Sequence, residues 1–305
     1  MKKTSFLIPV SIILLTLALF SAGCQKKVSN DNSFSFVFMT DIHLQPELNA
    51  VQGFRQALDT IDTMNPDFII TGGDQIMDAL GVSHDRADSL YKLYHEVTND
   101  YDIPIYNTMG NHEIYGMYIK EEGIENNPDY GEKMFENRIG KSYQSFTHKG
   151  WKFMILNSIE EKANKKYTGL IDDAQIEWIK NELSNTDKNT PIVISTHIPL
   201  ITAFKHRSHG STVPIDSSGV VYNSKEVLDL FNDYNLKLVL QGHLHIIEDI
   251  LINGTHFITG GAVSSSWWEG KYYGFEEGFL KIDVKNDDFS YEYIDYGWKV
   301  VDDGL

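Results

Sequence analysis

The chain alternates short apolar runs with longer stretches whose apolar positions recur every three or four residues. "FSFVFMT" (34–40) is continuously apolar and rich in aromatics, and predicts a buried strand. Val51, Phe54, Leu58 and Ile61 repeat at helical spacing across 50–65, and Pro66, which has no N–H to continue a helix, stops it. "DFIIT" (67–71) predicts a second strand closed by "GGD", residues 84–99 a second helix, and "IPIYNTM" (103–109) a third strand. Alternation of this kind folds as a parallel or mixed sheet covered by helices.

Residues 114–141 are polar and irregular and read as a surface insertion. "SYQSFTH" and "WKFMILN" then predict a hairpin around "KG". A helix over 172–183, opened by Asp172 and Asp173, leads into the strand "PIVIST". After an irregular stretch, 203–222, a helix over 224–234 capped by Ser224 precedes the strand "LKLVLQ". The short runs of 246–296 suit antiparallel strands. With no internal repeat, low-complexity tract or Pro-rich linker, one domain is the simplest organisation.

Composition changes this picture little. The 305 residues are 42% hydrophobic and 23% charged, enough apolar material for a sizeable core. A net charge of -17 and the absence of a basic stripe argue against binding a nucleic-acid duplex. The chain is expected to act as a monomer.

The first residues matter more. Lys2 and Lys3 precede an apolar run from Phe6 to Phe20, then Ser21, Ala22, Gly23 and Cys24. That is the layout of a secretory signal, and the run is short of the roughly 20 apolar residues a spanning helix needs. An uncleaved membrane anchor is the alternative. Cys24 is the single cysteine, so it has no internal disulfide partner. After "SAG" it resembles the lipobox cysteine of bacterial lipoproteins, which is lipidated and becomes the mature N-terminus. Ser21 stands where leucine is commonest. That resemblance implies export and a lipid anchor, with Gln25 pointing to an outer membrane facing periplasm or surface. Residues 24–33 read as a polar tether.

The ends of successive apolar strands carry the candidate chemistry. They are Asp41 and His43 in "TDIH", Asp74 in "TGGDQ", Asn111, His112 and Glu113 in "GNHE", His197 in "ISTHIP", and His243 and His245 in "LQGHLH". Ligands of α/β sheets sit beyond the carboxyl ends of strands. Asp41 with His43, and His243 with His245, are two apart, so in extended backbone each pair faces one way. Any one cluster has an ordinary reading as a solvated strand end, a turn or core histidines. Five together, each at a strand end, do not.

The order "DIH", "GGD", "GNHE", "TH", "GHLH" resembles the calcineurin-like metallophosphoesterase family over roughly residues 34–260. The resemblance implies an α/β four-layer αββα sandwich spanning 34–300 with a dinuclear metal site. By that resemblance Asp41, His43 and His245 hold one metal, Asn111, His197 and His243 the other, and Asp74 bridges them. His112 faces the scissile phosphate as the catalytic residue, and Glu113 stands where aspartate is more usual. Two metals about 3.5–4 Å apart clamp a phosphoryl group and hold a shared bridging hydroxide for in-line attack. Imidazole, carboxylate and amide donors favour Mn, Fe, Zn or Co over Mg or Ca. "GGDQIMD" lacks the tyrosine that marks purple di-iron members of the family.

The expected activity is hydrolysis of a phosphomonoester or phosphodiester. Cyclic nucleotides, nucleotides and lipid headgroup esters all remain open as substrates. The alternative is a non-catalytic lipoprotein that captures a ligand in the same metal pocket. His206 in "KHRSHG" and Trp267 or Trp268 in "SSSWWEGKYYGFEEGF" are candidates for the substrate pocket, with a solvated loop and a packed hairpin edge as their ordinary readings. His84, His95, His148, His209 and His256 are read as surface or packing residues.

Overall fold

Phe34, Phe36 and Phe38 of strand β1 (Phe34–Met39) face one hydrophobic core, while Val37 and Met39 face another. That alternation, repeated strand after strand, sets the layers of the protein. The computed structural model describes residues 32–162 and 164–300. The signal segment 1–23, Cys24 and the tether up to residue 31 lie outside them.

After β1 come α1 (Ala50–Met64), β2 (Phe68–Thr71), α2 (His84–Thr98) and β3 (Ile105–Tyr106). A 3-10 turn, Asn111–Glu113, and α3 (Lys133–Arg138) lead to two hairpins, β4 (Gln144–His148) with β5 (Trp151–Ile155) and β6 (Ile159–Lys162) with β7 (Lys166–Gly169). Next are α4 (Asp173–Ser184), β8 (Ile192–Thr196), α5 (Phe204–His209), α6 (Ser224–Asp229) and β9 (Leu236–Gln241). The last strands are β10 (Ile247–Ile252), β11 (Thr255–Gly260), β12 (Gly278–Lys285) and β13 (Asp288–Asp295).

One sheet runs β13-β12-β1-β2-β3 and the other β10-β11-β9-β8-β5-β4. Their inner faces share one core, built from Phe36, Phe38, Phe68 and Ile70 on one side and Phe153, Val193, Leu238 and Leu240 on the other. Phe36 stacks on Phe68 at 5.1 Å and meets Phe153 edge-on at 5.4 Å. Each such buried ring contributes roughly 1.5–3 kcal/mol relative to exposure. The outer faces are covered by helices. α1 buries Phe54, Leu58 and Ile61, and α4 buries Ile176, Ile179 and Leu183. The result is the αββα sandwich that the resemblance implies. β1, β2 and β3 are mutually parallel, as are β5, β8, β9 and β11. The carboxyl ends of β1, β2 and β3 therefore open on one edge of their sheet, and those of β8 and β9 on one edge of theirs.

Several local expectations change. Residues 114–141 are not a mere surface insertion, because Tyr115, Met117, Met134 and Phe135 are buried and Tyr115 pairs with Gly131. The third strand shrinks to two residues. α6 ends at Asp229, and Ser224 is its first residue rather than its cap. Asn223 precedes it and binds the backbone of Ile171 through both amide atoms. The final region is only partly antiparallel, since β11 pairs parallel with β9. The β6–β7 hairpin has no counterpart in the sequence-based expectation. The β4–β5 hairpin does, and Lys149 and Gly150 turn it with φ of 42° and 88°, as a tight two-residue turn requires.

Candidate metal centre

Five of the seven predicted ligands hold left-handed backbone: Asp41 (φ 54°), His43 (48°), Asp74 (52°), His243 (72°) and His245 (52°). Each such residue other than glycine costs on the order of 1 kcal/mol or more. Asp and His tolerate the conformation better than most. The two i, i+2 pairs thus converge, but not by the strand alternation expected of them. β1 ends at Met39 and β9 at Gln241, and the loops beyond curl each side chain inward.

Neighbouring loops hold that curl in place. Asp41, His43 and Leu44 donate their N–H groups to Gly73, Asp74 and Gln75 at 3.0, 2.9 and 3.0 Å, continuing the β1–β2 ladder past both strands. The loop after β11 also closes on the first, with Ser264 Oγ donating to the Asp41 carbonyl at 2.7 Å. Asp41 Oδ2 accepts from Thr40 Oγ1 at 2.7 Å and from the N–H of His243 at 3.0 Å. Gly110 has an ordinary extended backbone, with φ −105°. Its glycine is needed for close approach rather than a sharp turn, since a Cβ there would stand 2.1 Å from Asp74 Oδ1.

The ligand atoms form two groups that share an edge. In the first, His245 Nε2 lies 3.3 Å from Asp41 Oδ1 and 3.1 Å from His43 Nε2. In the second, His197 Nε2 lies 3.2 Å from Asp74 Oδ2, 3.1 Å from Asn111 Oδ1 and 3.2 Å from His243 Nδ1. Asp74 Oδ2 is also 3.7 Å from His43 Nε2, which puts this carboxylate between the groups. Asp41, His43 and His197 are fully buried, and Asp74, Asn111 and His245 nearly so.

The tautomers show which ring atoms face the cluster. His197 Nδ1 donates to the Gly72 carbonyl at 2.8 Å, and His245 Nδ1 donates to the Ser265 carbonyl. When neutral, each ring therefore presents an Nε2 lone pair to its group. His197 Nε2 then meets a carboxylate oxygen and an amide oxygen, all three acceptors. One proton on His197 satisfies only part of this set, whereas a cation satisfies all of it. Burial pushes His197 down, but Asp74 outweighs it and raises the imidazole to about 9, so the cluster draws positive charge to this point. His43 is pushed far below the ordinary range by burial and by His112, and His243 falls to about 4 through burial and His197. Burial opposes ionisation of Asp74, yet His197 and His112 hold its carboxyl well below the usual range. The donor set of imidazoles, carboxylates and one amide fits divalent transition metals.

His112 stands beside this cluster. Its Nδ1 donates to the Met77 carbonyl and its N–H donates to Asp74 Oδ1 at 2.9 Å. The ring meets that of His43 edge-on at 4.6 Å. Its Nε2, 3.9 Å from Asp74 Oδ2, belongs to a side chain 22% exposed, so it faces both the cluster and the outside. Glu113, next in sequence, is fully buried and accepts N–H groups from Asp74 and Gly110 at 2.9 and 2.7 Å. Burial, with Asp74 adding to it, lifts its carboxyl to about 8.

The pocket candidates separate. Trp267 lies against His245, ring centroids 4.5 Å apart, and 5.9 Å from His43. Trp268 does not line the pocket. It is buried, packs against Gly53 and Trp298, and donates its indole N–H to the His43 carbonyl at 3.1 Å, so it supports the site from beneath. His206 is exposed on α5, whose Phe204 and Arg207 line a cavity instead. His84, His95, His148 and His256 bond to Asp129, Arg138, Asp67 and Asp249. Sequence reasoning missed Tyr272, 5.8 Å from the His245 ring, and Tyr167, 6.2 Å from that of His243. Only the aromatic density of "SSSWWEGKYY" pointed to the first, and nothing pointed to the second.

The family model of calcineurin-like phosphoesterases matches residues 34–246. A Moraxella catarrhalis protein named as a probable cyclic nucleotide phosphodiesterase is 21% identical over 176 residues, which span 56% of this chain and 59% of that relative's length. A dimetal phosphatase from Danio rerio superposes with a TM-score of 0.59 at 14% identity, covering 87% of this chain and 99% of that one. GAP50, the anchor in the inner membrane complex of Plasmodium, superposes with a TM-score of 0.55 at 18% identity, covering 88% and 87%. At these identities the structural likeness concerns the fold.

Proposed function

The chain belongs to the calcineurin-like phosphoesterase family, and from that premise we propose that it hydrolyses a phosphate ester, favouring a diester, at a two-metal centre. The carrying observation is that His197 Nε2 stands 3.2 Å from Asp74 Oδ2 and 3.1 Å from Asn111 Oδ1, with one Nε2 proton at most to serve both. Asp41, His43 and His245 would hold one divalent ion, Asn111, His197 and His243 the second, and Asp74 both. When bound, such ions draw charge from a phosphoryl oxygen and acidify water.

The remaining work falls to side chains of this protein. The Met77 carbonyl fixes the His112 tautomer, so its Nε2 is the atom that carries or gives up a proton. Held at the edge of the cluster, that atom is suited to stabilise phosphoryl charge or to protonate the departing oxygen. Trp267, Tyr272 and Tyr167 wall the approach and orient the ester's organic group. Diester hydrolysis draws support from the name of the Moraxella relative, and the complete donor set with His112 supports catalysis over mere ligand capture. Export and lipid anchoring at Cys24 remain part of this reading.

The test is hydrolysis of bis(p-nitrophenyl) phosphate before and after stripping metal with a chelator, then with Mn or Zn restored. Activity should vanish and return. Turnover that survives complete metal removal overturns the proposal.

A further inference from the structure

Beside β4, the edge strand of its sheet, lies a cavity of 780 Å³ that shares no residue with the ligand cluster. That size lies within the roughly 300–1,000 Å³ of small-molecule sites. Three pieces of the chain build it. Glu136 comes from α3, the stretch from Lys141 to Ser145 leads into β4, and Trp178 and Glu182 come from α4. Trp178 and Glu182 stand four residues apart, so one face of the helix carries both.

Tyr143 and Trp178 form a corner of this cavity. Their ring centroids are 5.1 Å apart and their planes are inclined at 58°. Both residues are half-buried, so each keeps surface open to a ligand. Tyr O–H and Trp N–H groups usually find a partner when buried. Among the described residues, neither the Tyr143 hydroxyl nor the Trp178 indole N–H has one.

The carboxylates are held in place but not used up. Glu182 Oε2 accepts Ser145 Oγ at 2.6 Å and pairs with Lys152, whose Nζ also donates to Ser145 Oγ at 3.0 Å. Both bonds fall on one oxygen, which leaves Oε1 free on a side chain 23% exposed. Burial opposes ionisation of Glu182, but Lys152 and Ser145 outweigh it and keep the carboxyl below its usual range. Glu136 Oε1 accepts Ser142 Oγ at 3.2 Å. The side chains of Lys141 and Gln144 bond to no other described residue.

The lining decides the class of ligand. Beside the two rings it has six polar or charged residues and no aliphatic one, which disfavours an apolar occupant. Lys141 and Lys152 balance Glu136 and Glu182, so the walls select no net charge. Aromatic faces are negative and attract C–H groups. Carboxylates accept, an ammonium donates and an amide does both, which suits hydroxyls able to do either. A pyranose carries C–H groups on its faces and hydroxyls around its rim. We propose that this cavity binds an uncharged oligosaccharide, with a pyranose face laid on Tyr143 or Trp178 and its hydroxyls shared among Gln144, Glu136 and Glu182. The proposal does not rest on the phosphoesterase reading.

The test is an NMR titration of the purified protein labelled with nitrogen-15 at its five tryptophans. The indole signal of Trp178 is the one missing from Trp178→Phe. Cellotetraose, chitotetraose and maltotetraose are added in turn to the unmutated protein. At least one should move the Trp178 signal and leave the other indoles in place, and the tightest of the three identifies the linkage. Tyr143→Ala and Gln144→Ala, both at half-buried side chains, should each weaken binding about twofold to tenfold. Circular dichroism confirms that the variants fold.

A Trp178 signal that none of the three sugars moves overturns the proposal. So does an equal shift from glycerol at the same hydroxyl concentration, because the cavity then distinguishes no sugar. Undiminished affinity in both folded variants overturns it too, since the sugar then sits elsewhere. Tetraalanine that moves the signal more than any sugar overturns it in favour of a peptide. None of these readouts involves metal or hydrolysis, so the catalytic reading stands or falls on its own test.

Discussion

Glu113 accepts the backbone N–H of Asp74 at 2.9 Å, and its two carboxylate oxygens also take those of Gly110 at 2.7 Å and Ile76 at 3.2 Å. One buried side chain thus ties the loop after β2 to the loop after β3, and with it Asp74, the proposed shared ligand, to Asn111. Glu113→Ala leaves three buried N–H groups without an acceptor. Metal affinity should fall about tenfold to a hundredfold, as for other supports of metal ligands. Competition with a chelating dye reads this, and unchanged affinity would assign Glu113 to stability alone.

His112 and His245 should fail in different ways. His245→Ala should weaken one ion and lower activity through occupancy, so excess metal restores part of it. His112→Ala should keep both ions and still lose on the order of 10²–10⁴ in turnover. The loss should shrink with a good leaving group if His112 protonates the departing oxygen, and stay constant if it stabilises phosphoryl charge. Elemental analysis beside turnover on two esters of different leaving-group pKa decides. Loss of an ion in His112→Ala contradicts the role given to it.

Away from the site, Arg138 binds Asp129 and Asp88 at 2.8 Å, and His84 and Asn137 also bond Asp129 at 2.8 Å. The Arg138 bond, first among these partners, holds the Asp129 carboxyl well below the usual range, although burial opposes it. A carboxyl depressed in the folded state contributes stability that is fully present above its unfolded value, near 3.9. That stability is lost as pH falls through the folded value. Asp129→Asn should therefore cost about 1–2 kcal/mol at pH 7. The gap between variant and parent should close as pH drops below about 4. Thermal melts at a series of pH values check this, and a gap that widens in acid would refute it.

Cys24→Ser should leave the chain unprocessed or without lipid. A single acyl chain binds membranes only marginally, so anchoring requires the several chains carried by lipoproteins of this kind. Mass spectrometry of the mature N-terminus and membrane fractionation give the readout. A soluble mature chain that starts elsewhere without lipid would end the proposal.

The layers of this fold were legible because alternation along β1 and helical spacing along α1 are properties of local sequence. The polar residues of the site were legible for a related reason, since each follows a run apolar enough to be a strand. Their conformation was not. Left-handed backbone at Asp41, His43, Asp74, His243 and His245 follows from the pairing of loops distant in sequence. Nor could the run "WW" reveal which ring faces the cluster and which faces the core. That choice is made by His43, whose carbonyl takes the indole proton of Trp268, and by Gly53, which leaves room for its ring. Nor could the start of α6 be read, since the residue before it, Asn223, binds Ile171, a partner 52 residues away. The cavity beside Tyr143 and Trp178 depends on α3, the lead into β4 and α4 meeting in space, and no single element supplies all of it.

His43 and His245 lie 3.1 Å apart in space and 202 residues apart in the chain. The same divide runs through the second group, where His243 and His197 close on Asp74 and Asn111. A growing chain therefore completes the second group only at His243 and the first only at His245. A fragment that lacks either end of that span lacks part of the cluster. Timing is thus built into where these side chains fall along the sequence, and the last of them to be made completes the cluster.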